Sequence, residues 1–313
     1  MLDRWREQIV SHHHHHHHHG EGQSDFRLAW AIAANLGLTV VQIVGGVLAG
    51  SLSLVADALH NFNDAGSLII AFAARRISRK PADRKRTFGY RRAETIGALI
   101  NLITLVIVGV YLIYEAVLRF FQPEPIEGWI VVGVAGVALA VDVATAALTY
   151  AMSKESVNIR AAFVHNVSDA MASVGVIIAG TLILLYEWHI ADLIATVVIS
   201  GYILYQGFLM LPQVIHSLME GVPEGLSLDE VAEAMESVEG VEEVHHLHVW
   251  ELSEHHRALE AHVVVDTSNP AELERIKHDV KALCEERFAI SHSTLELEWP
   301  SAASVPCASR VCA

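Results

Sequence analysis

Up to about residue 215 the chain alternates between long apolar stretches and short polar breaks, and then its texture changes abruptly. A helix needs about 20 mostly apolar residues to cross the hydrocarbon core of a bilayer. Six stretches have that length: roughly 26–49, 52–77, 95–119, 128–152, 158–186 and 190–215. Backbone polar groups cannot stay unpaired in lipid, which leaves helices or a closed barrel. These runs are too long and too continuously apolar for barrel strands. The pattern predicts an α-helical membrane protein with six transmembrane helices.

Beyond residue 220 the pattern is that of a small soluble domain. Ser227 is placed to cap a helix through LDEVAEAMES, and VEEVHHLHVWEL then reads as a strand. ALEAHVVVDT alternates as a second strand. Asn269 and Pro270 open a helix through AELERIKHDVKALCEERF, and STLELEW closes the domain as a third strand. The order is α-β-β-α-β, a two-layer α+β domain. The expected organisation is a His-rich arm at 1–25, a membrane domain at 26–219, a soluble domain at 220–299 and a Cys-containing tail at 300–313.

The breaks between the apolar runs carry unequal charge. Spans two and three are joined, with their flanks, by Arg75, Arg76, Arg79, Lys80, Arg84, Lys85, Arg86, Arg91 and Arg92. The loop after span four has Lys154 and Arg160, whereas Gly50–Ser51, Gln122–Gly128 and Glu187–His189 have no Lys or Arg. Basic loops stay in the cytoplasm, so both termini are expected there. The net charge of −15 is concentrated in the tail. Residues 220–313 hold 20 acids against 6 bases, and residues 1–219 hold 16 against 15. An acidic domain does not suit nucleic acid but does suit cations. Cys284, Cys307 and Cys312 are too few for a disulfide framework. The first thirty residues lack an apolar core, so no cleavable signal peptide is expected. The run His12–His19 fits either an added purification tag or a native metal-gathering arm.

Ionisable groups inside spans are costly and mark function. Span two holds Asp57, His60 and Asp64, and span five holds His165 and Asp169. His-x-x-x-Asp thus occurs once in each helix, and residues four apart share a helix face. Two such faces offer two imidazole nitrogens and two carboxylates, a set that suits tetrahedral zinc. The bland alternative is a pair of polar couples holding helices together, which the doubled spacing disfavours. Asp57 shares the face of Asp64 and either orients a ligand or makes a helix–helix hydrogen bond. Asp142 and Asp192 are weaker candidates, the latter with an ordinary end-of-helix role. Asn35, Gln42 and Asn101 read as packing polars, and Gly45, Gly46, Gly175 and Gly180 as points of close helix contact.

In the soluble domain, histidines gather at 245, 246, 248, 255, 256, 262, 278 and 292. Strand alternation puts His246 and His248 on one face and His245 on the other. With Cys307 and Cys312 in the tail, the group reads as a second zinc site; each His alone reads as a solvated side chain.

The stretches GGVLAGSLSLVADALHNFND, KRTFGYRRAE, NIRAAFVHNVSDAMASVGV, LMEGVPE and HHLHVWEL carry a resemblance. From span one to Trp299 the chain is similar to the cation diffusion facilitator family, and within it to bacterial zinc exporters. The resemblance implies a homodimer, a cytoplasmic ferredoxin-like domain and metal–proton antiport. It puts the transport site at His60, Asp64, His165 and Asp169. It also implies a cytoplasmic zinc site drawing on His245, His262 and Glu298 with the tail cysteines, Cys307 and Cys312, to which the His-rich arm of a neighbouring subunit can contribute. One departure stands in the loop between spans two and three. Asp83 is present, but Arg86 and Tyr90 occupy positions where some members carry further metal ligands, so no site is expected there.

The expected activity is therefore zinc efflux by alternating access, with zinc as cargo and protons as counter-ion. An intramembrane metalloenzyme would need an activated water and a base, as in H-E-x-x-H, and no such motif occurs. A metal sensor is the second rival. A manganese carrier would favour more oxygen donors than the four groups provide.

Overall fold

The computed structural model describes residues 36–152, 157–253 and 256–300. The His-rich arm, the start of span one, Asn35 and both tail cysteines lie outside them. Six helices come first: α1 Leu36–Ala49, α2 Leu52–Ser78, α3 Ala93–Phe121, α4 Gly128–Met152, α5 Val157–Tyr186 and α6 Ile190–Leu218. The soluble part follows as α7 Leu228–Glu236, β1 Val241–Ser253, β2 His256–Val265, α8 Pro270–Phe288 and β3 Ile290–Glu298.

Among the described residues, four helices are long and apolar enough to cross a membrane: α3, α4, α5 and α6. The sequence pattern predicts six. Helix α2 has the length, at 27 residues, but Asp57, His60, Asn61, Asn63 and Asp64 interrupt its apolar character. Helix α1 is described over fourteen residues, Leu36–Ala49.

The described chain forms two compact units, one holding residues up to Ile69 with Asn101–Leu209, the other Ile70–Ile100 with Met210 onward. In the first, Leu54, Leu112, Val131, Val176 and Ile203 meet in one buried cluster, one side chain from each of α2 to α6. Without a hydrophobic drive between helices in lipid, close backbone approach does the packing. A Cβ on Gly45 would stand 2.8 Å from Val134, and one on Gly180 would stand 2.9 Å from Val131. Gly46 is similarly tight against Val55, whereas a Cβ on Gly175 would meet nothing within 4 Å, so that position is no contact point. The α1–α2 turn uses Gly50 at φ +68°, and Arg119 Nη1 donates to its carbonyl at 2.6 Å.

Asp192 does more than end its own helix. Its buried carboxylate accepts from Ser51 Oγ and Ser53 Oγ, both at 2.6 Å, and from Leu52 N at 2.8 Å. It thereby satisfies free N–H groups at the start of α2, where a helix favours negative charge, and ties α6 to α2.

In the second unit, β1 and β2 are antiparallel while β2 and β3 are parallel, in the order β1-β2-β3. Val231 and Met235 of α7 and Ile276 and Val280 of α8 cover the buried Val244, Leu247, Leu259 and Val263 of the sheet. Asn269 caps α8 by accepting from Ala271 N at 3.1 Å, with Pro270 next. Ser227 holds the corresponding position before α7 in an extended conformation, but its side chain makes no capping bond. The loop before α3 closes on Asp83, which accepts from Tyr90 Oη at 2.7 Å and from the Lys85 and Arg86 N–H groups. The Tyr90 bond first, and then the two backbone bonds, hold the Asp83 carboxyl below its usual range. Arg92 pairs with Glu220 at 2.8 Å in the same unit.

Candidate metal centre

Helical spacing puts His60 and Asp64 one turn apart on α2, and His165 and Asp169 one turn apart on α5. The two faces meet. His60 Nε2 lies 3.7 Å from Asp64 Oδ2 and 3.7 Å from Asp169 Oδ1. His165 Nε2 lies 3.4 Å from Asp64 Oδ2 and 3.4 Å from Asp169 Oδ2. Imidazoles and carboxylates therefore alternate around the four residues, with Asp169 turning Oδ1 to His60 and Oδ2 to His165. A tetrahedral zinc ion with bonds of about 2.0–2.1 Å has ligand–ligand edges of about 3.4 Å. The observed separations come close to those edges.

Polar bonding points the same way. His60 Nδ1, Asp64 Oδ2 and Asp169 Oδ1 are buried and lack a hydrogen-bond partner. Buried polar groups are normally satisfied, so the two carboxylate oxygens, which face the imidazole Nε2 atoms without a hydrogen-bond partner, fit a cation between them. His60 Nδ1 is the ring nitrogen turned away from the carboxylates. Donor atoms of His60, Asp64 and Asp169 lie within 4.8 Å of one another. The more exposed His165 approaches this trio from the rim, at 48% side-chain exposure against 10% for Asp169.

Asp57 makes its hydrogen bonds away from the quartet. Gln42 Nε2 of α1 donates to Asp57 Oδ2 at 2.7 Å, and Ser173 Oγ of α5 lies 3.5 Å from the same oxygen. Of the two roles open for Asp57 in the sequence, the helix–helix bond is the one present. Gln42, expected to be a packing polar, is the hub of this network, and its Oε1 accepts from Asn61 at 3.1 Å.

A second cluster lies on the sheet. Glu298 faces two imidazoles, with Oε1 2.7 Å from His262 Nδ1 and Oε2 3.2 Å from His245 Nε2. His245 is opposite His262 in the β1–β2 register, but the register shifts between His245 and His248, and His246 has φ +50°. This bulge overturns the simple alternation. Val244, Leu247 and Val249 point into the core, while His245, His246 and His248 are all half-buried on the outer face. The His246 ring stands 4.8 Å from the rings of both His248 and His262. The other described histidines of the soluble domain are dispersed: His278 is beside Asp279, His292 against Phe88 and His256 near Ser253. His255, Cys307 and Cys312 lie outside the described residues.

A helical membrane body with a four-donor quartet on two helices, followed by an α+β domain with its own imidazole–carboxylate cluster, defines a metal-handling membrane protein. The sequence matches the cation efflux transmembrane domain over residues 28–219 and the cation efflux protein cytoplasmic domain over residues 223–299. It is 33% identical over 269 residues to a cadmium, cobalt and zinc/H(+)-K(+) antiporter of Bacillus subtilis, covering 84% of this chain and 85% of that protein. It is 33% identical over 292 residues to zinc transporter ZitB of Escherichia coli, covering 92% of each. It is 34% identical over 279 residues to metal cation efflux system protein CzcD of Cupriavidus metallidurans, covering 88% and 87%. The chain belongs to the cation efflux family, whose members are membrane transporters and not enzymes.

Proposed function

We propose that this protein exports zinc from the cytoplasm in exchange for protons, and that His60, Asp64, His165 and Asp169 carry the ion. The alternating quartet with its unpartnered buried atoms is the observation that carries the reading. Two nitrogens and two oxygens suit zinc, and the names of the relatives, which specify zinc, cadmium and cobalt, agree with that class. Ligation needs neutral imidazole and ionised carboxylate, and imidazole titrates near neutral pH. Protons on the outer side therefore compete with zinc for the same atoms and help to empty the site. Helix rocking that exposes the quartet alternately to each side would complete the cycle.

The coarser framework of this reading extends the described helices. Helices α1 and α2 join the four apolar ones as spans, making six, and the basic loops place both termini in the cytoplasm of a bacterial inner membrane. The proposed division is 1–25, 26–219, 220–299 and 300–313. The α-β-β-α-β order and the antiparallel–parallel sheet support a ferredoxin-like domain. The resemblance supports a homodimer within the lipid bilayer. The cluster of His245, His262 and Glu298 is proposed as a regulatory zinc site, joined by Cys307 and Cys312.

The test is zinc movement by the purified full-length chain in sealed vesicles. Zinc flux that accelerates when an opposing pH gradient is imposed supports antiport. Zinc binding with no flux in either direction would leave a sensor.

A further inference from the structure

Beside the quartet lies a second buried polar set that zinc binding does not use. Asp57 on α2 is fully buried and Asp142 on α4 is 8% exposed. Ser173 of α5 joins them, its Oγ 3.1 Å from Asp142 Oδ2 and 3.5 Å from Asp57 Oδ2. Asp57 Oδ1 is buried with no partner at all. The groups bonded to this pair, Gln42 and Ser173, are uncharged.

The hydrogens available do not satisfy two ionised carboxylates. The Ser173 hydroxyl has one hydrogen, so it can donate to one carboxylate and can only accept from the other. Both contacts are bonds only if one carboxyl carries a proton. Two bare carboxylates with no cation are also strongly disfavoured in an apolar span. A bound metal cation fits poorly, because Gln42 turns its N–H toward Asp57 while its oxygen is engaged by Asn61. Hard cations need several oxygens, whereas a single proton needs none beyond those present.

We propose that Asp57 and Asp142 hold one proton between them, and that this pair is a proton-carrying site separate from the zinc ligands. The inference rests on the efflux reading. Ser173 lies four residues beyond Asp169, so the pair sits about one helical turn from the quartet. Zinc arriving there adds two positive charges nearby. The carboxyl O–H bond then breaks, its electron pair stays on oxygen and the proton passes to water. When zinc leaves, a proton from water restores the bond. The titratable groups in electrostatic reach of the pair are Asp169 and His165 on α5, and Asp169 is in turn in reach of His60 and Asp64 on α2; α1 contributes the uncharged Gln42, and Tyr202 of α6 stands against His60.

Asp57→Asn and Asp142→Asn keep the shape of the pair and remove its exchangeable charge. Each variant, as the full chain, is compared with wild type for zinc binding, for protons released per zinc bound and for zinc flux with and without an imposed pH gradient. Both variants should bind zinc and move it down its own gradient. Proton release should fall by about one per zinc, and stimulation by the pH gradient should weaken to what proton competition at the intact quartet supplies. Wild-type release and stimulation in both variants would overturn the proposal. If the amides fail to fold, Ser173→Ala keeps both carboxyls and removes their bridge. Its infrared band for protonated carboxyl should then shift from the wild-type position, and an unshifted band would count against the pair. If wild type itself shows no gradient-driven zinc flux, it is the efflux reading that fails.

Discussion

The membrane quartet and the cluster on the sheet use the same side-chain types and are built by different means. The quartet comes from two helices, each supplying His and Asp one turn apart, and its imidazole nitrogens stand 3.4–3.7 Å from the carboxylate oxygens. The sheet cluster comes from two strand neighbours and one glutamate that faces both imidazoles. Asp64 Oδ2 and Asp169 Oδ1 of the quartet are buried without hydrogen-bond partners, whereas the side chains of the sheet cluster keep 15–24% of their surface exposed. Unsatisfied oxygens in an apolar span strongly favour an ion in their midst, and a partly solvated group tolerates its absence. The first arrangement is suited to taking up and releasing cargo, the second to sensing it.

The largest effect expected from breaking this contrast is on zinc binding at the quartet. Asp64→Ala removes a carboxylate that faces both imidazoles, and binding of the transported ion should be lost while the protein still inserts. Calorimetric zinc binding on the purified variant checks this, in a background with the sheet cluster removed by His262→Ala, the His12–His19 run deleted and Cys307 and Cys312 replaced by Ser, so that only the quartet is counted.

Next is selectivity. His60→Asp exchanges a nitrogen fixed in one direction for a carboxylate that binds through one or two oxygens. The larger cadmium ion should then compete better against zinc, and the pH profile should change because one imidazole is gone. Paired zinc and cadmium flux across a pH series measures both. An unchanged ratio together with an unchanged profile would mean that His60 is not a ligand.

Asp192→Ala separates a structural buried acid from the functional ones. It leaves the Ser51 and Ser53 hydroxyls and the Leu52 N–H without their acceptor, at a cost of about 3 kcal/mol. Thermal unfolding should show a clear drop in midpoint, and zinc affinity per folded molecule should hold.

In the sheet cluster, Glu298→Ala should weaken zinc binding by about 10-fold or more and leave substantial transport, as should Cys307→Ser with Cys312→Ser. Complete loss of flux in either, at normal protein levels, would contradict a regulatory role.

The smallest effect concerns Cys284. Burial raises its thiol from 9.0 to about 11. The folded state then holds the proton more tightly than the unfolded chain, so this stabilisation is complete below pH 9 and lost as pH rises from 9 to 11. In a chain with Cys307→Ser and Cys312→Ser, alkylation at pH 8 should be slow until the protein unfolds. Rapid labelling of the folded protein would show that the thiol is not sequestered.

The contrast also explains what was legible in the sequence. A helix face repeats every three to four residues without interruption, so His60 and Asp64, and His165 and Asp169, could be placed from spacing alone. Meeting across two helices was the remaining step, and the doubled motif supplied it. A strand face repeats every two residues only until a bulge intervenes. His246 at φ +50° adds one residue to β1, so the expected split of His245 from His246 and His248 does not hold. Nothing in VEEVHHLHVWEL marks the bulge, since a positive φ at a non-glycine residue is set by the surroundings. The polar pair Asp57 and Asp142 was visible as isolated acids, but its link through Ser173 depends on three helices meeting, which periodicity does not encode. Asp192 likewise looked like a helix end, because its partners lie some 140 positions earlier in the chain.

The central claim is that the quartet carries the ion. The most direct measurement is zinc flux in sealed vesicles under an imposed pH gradient, for wild type and for Asp169→Ala at equal amounts of correctly inserted protein. Asp169 touches both imidazoles, at 3.7 Å from His60 and 3.4 Å from His165, so its loss opens the quartet on two sides. Flux in Asp169→Ala should fall to the leak of protein-free vesicles while wild type transports. Wild-type flux from a well-folded Asp169→Ala protein would contradict the account and place the pathway elsewhere in the chain.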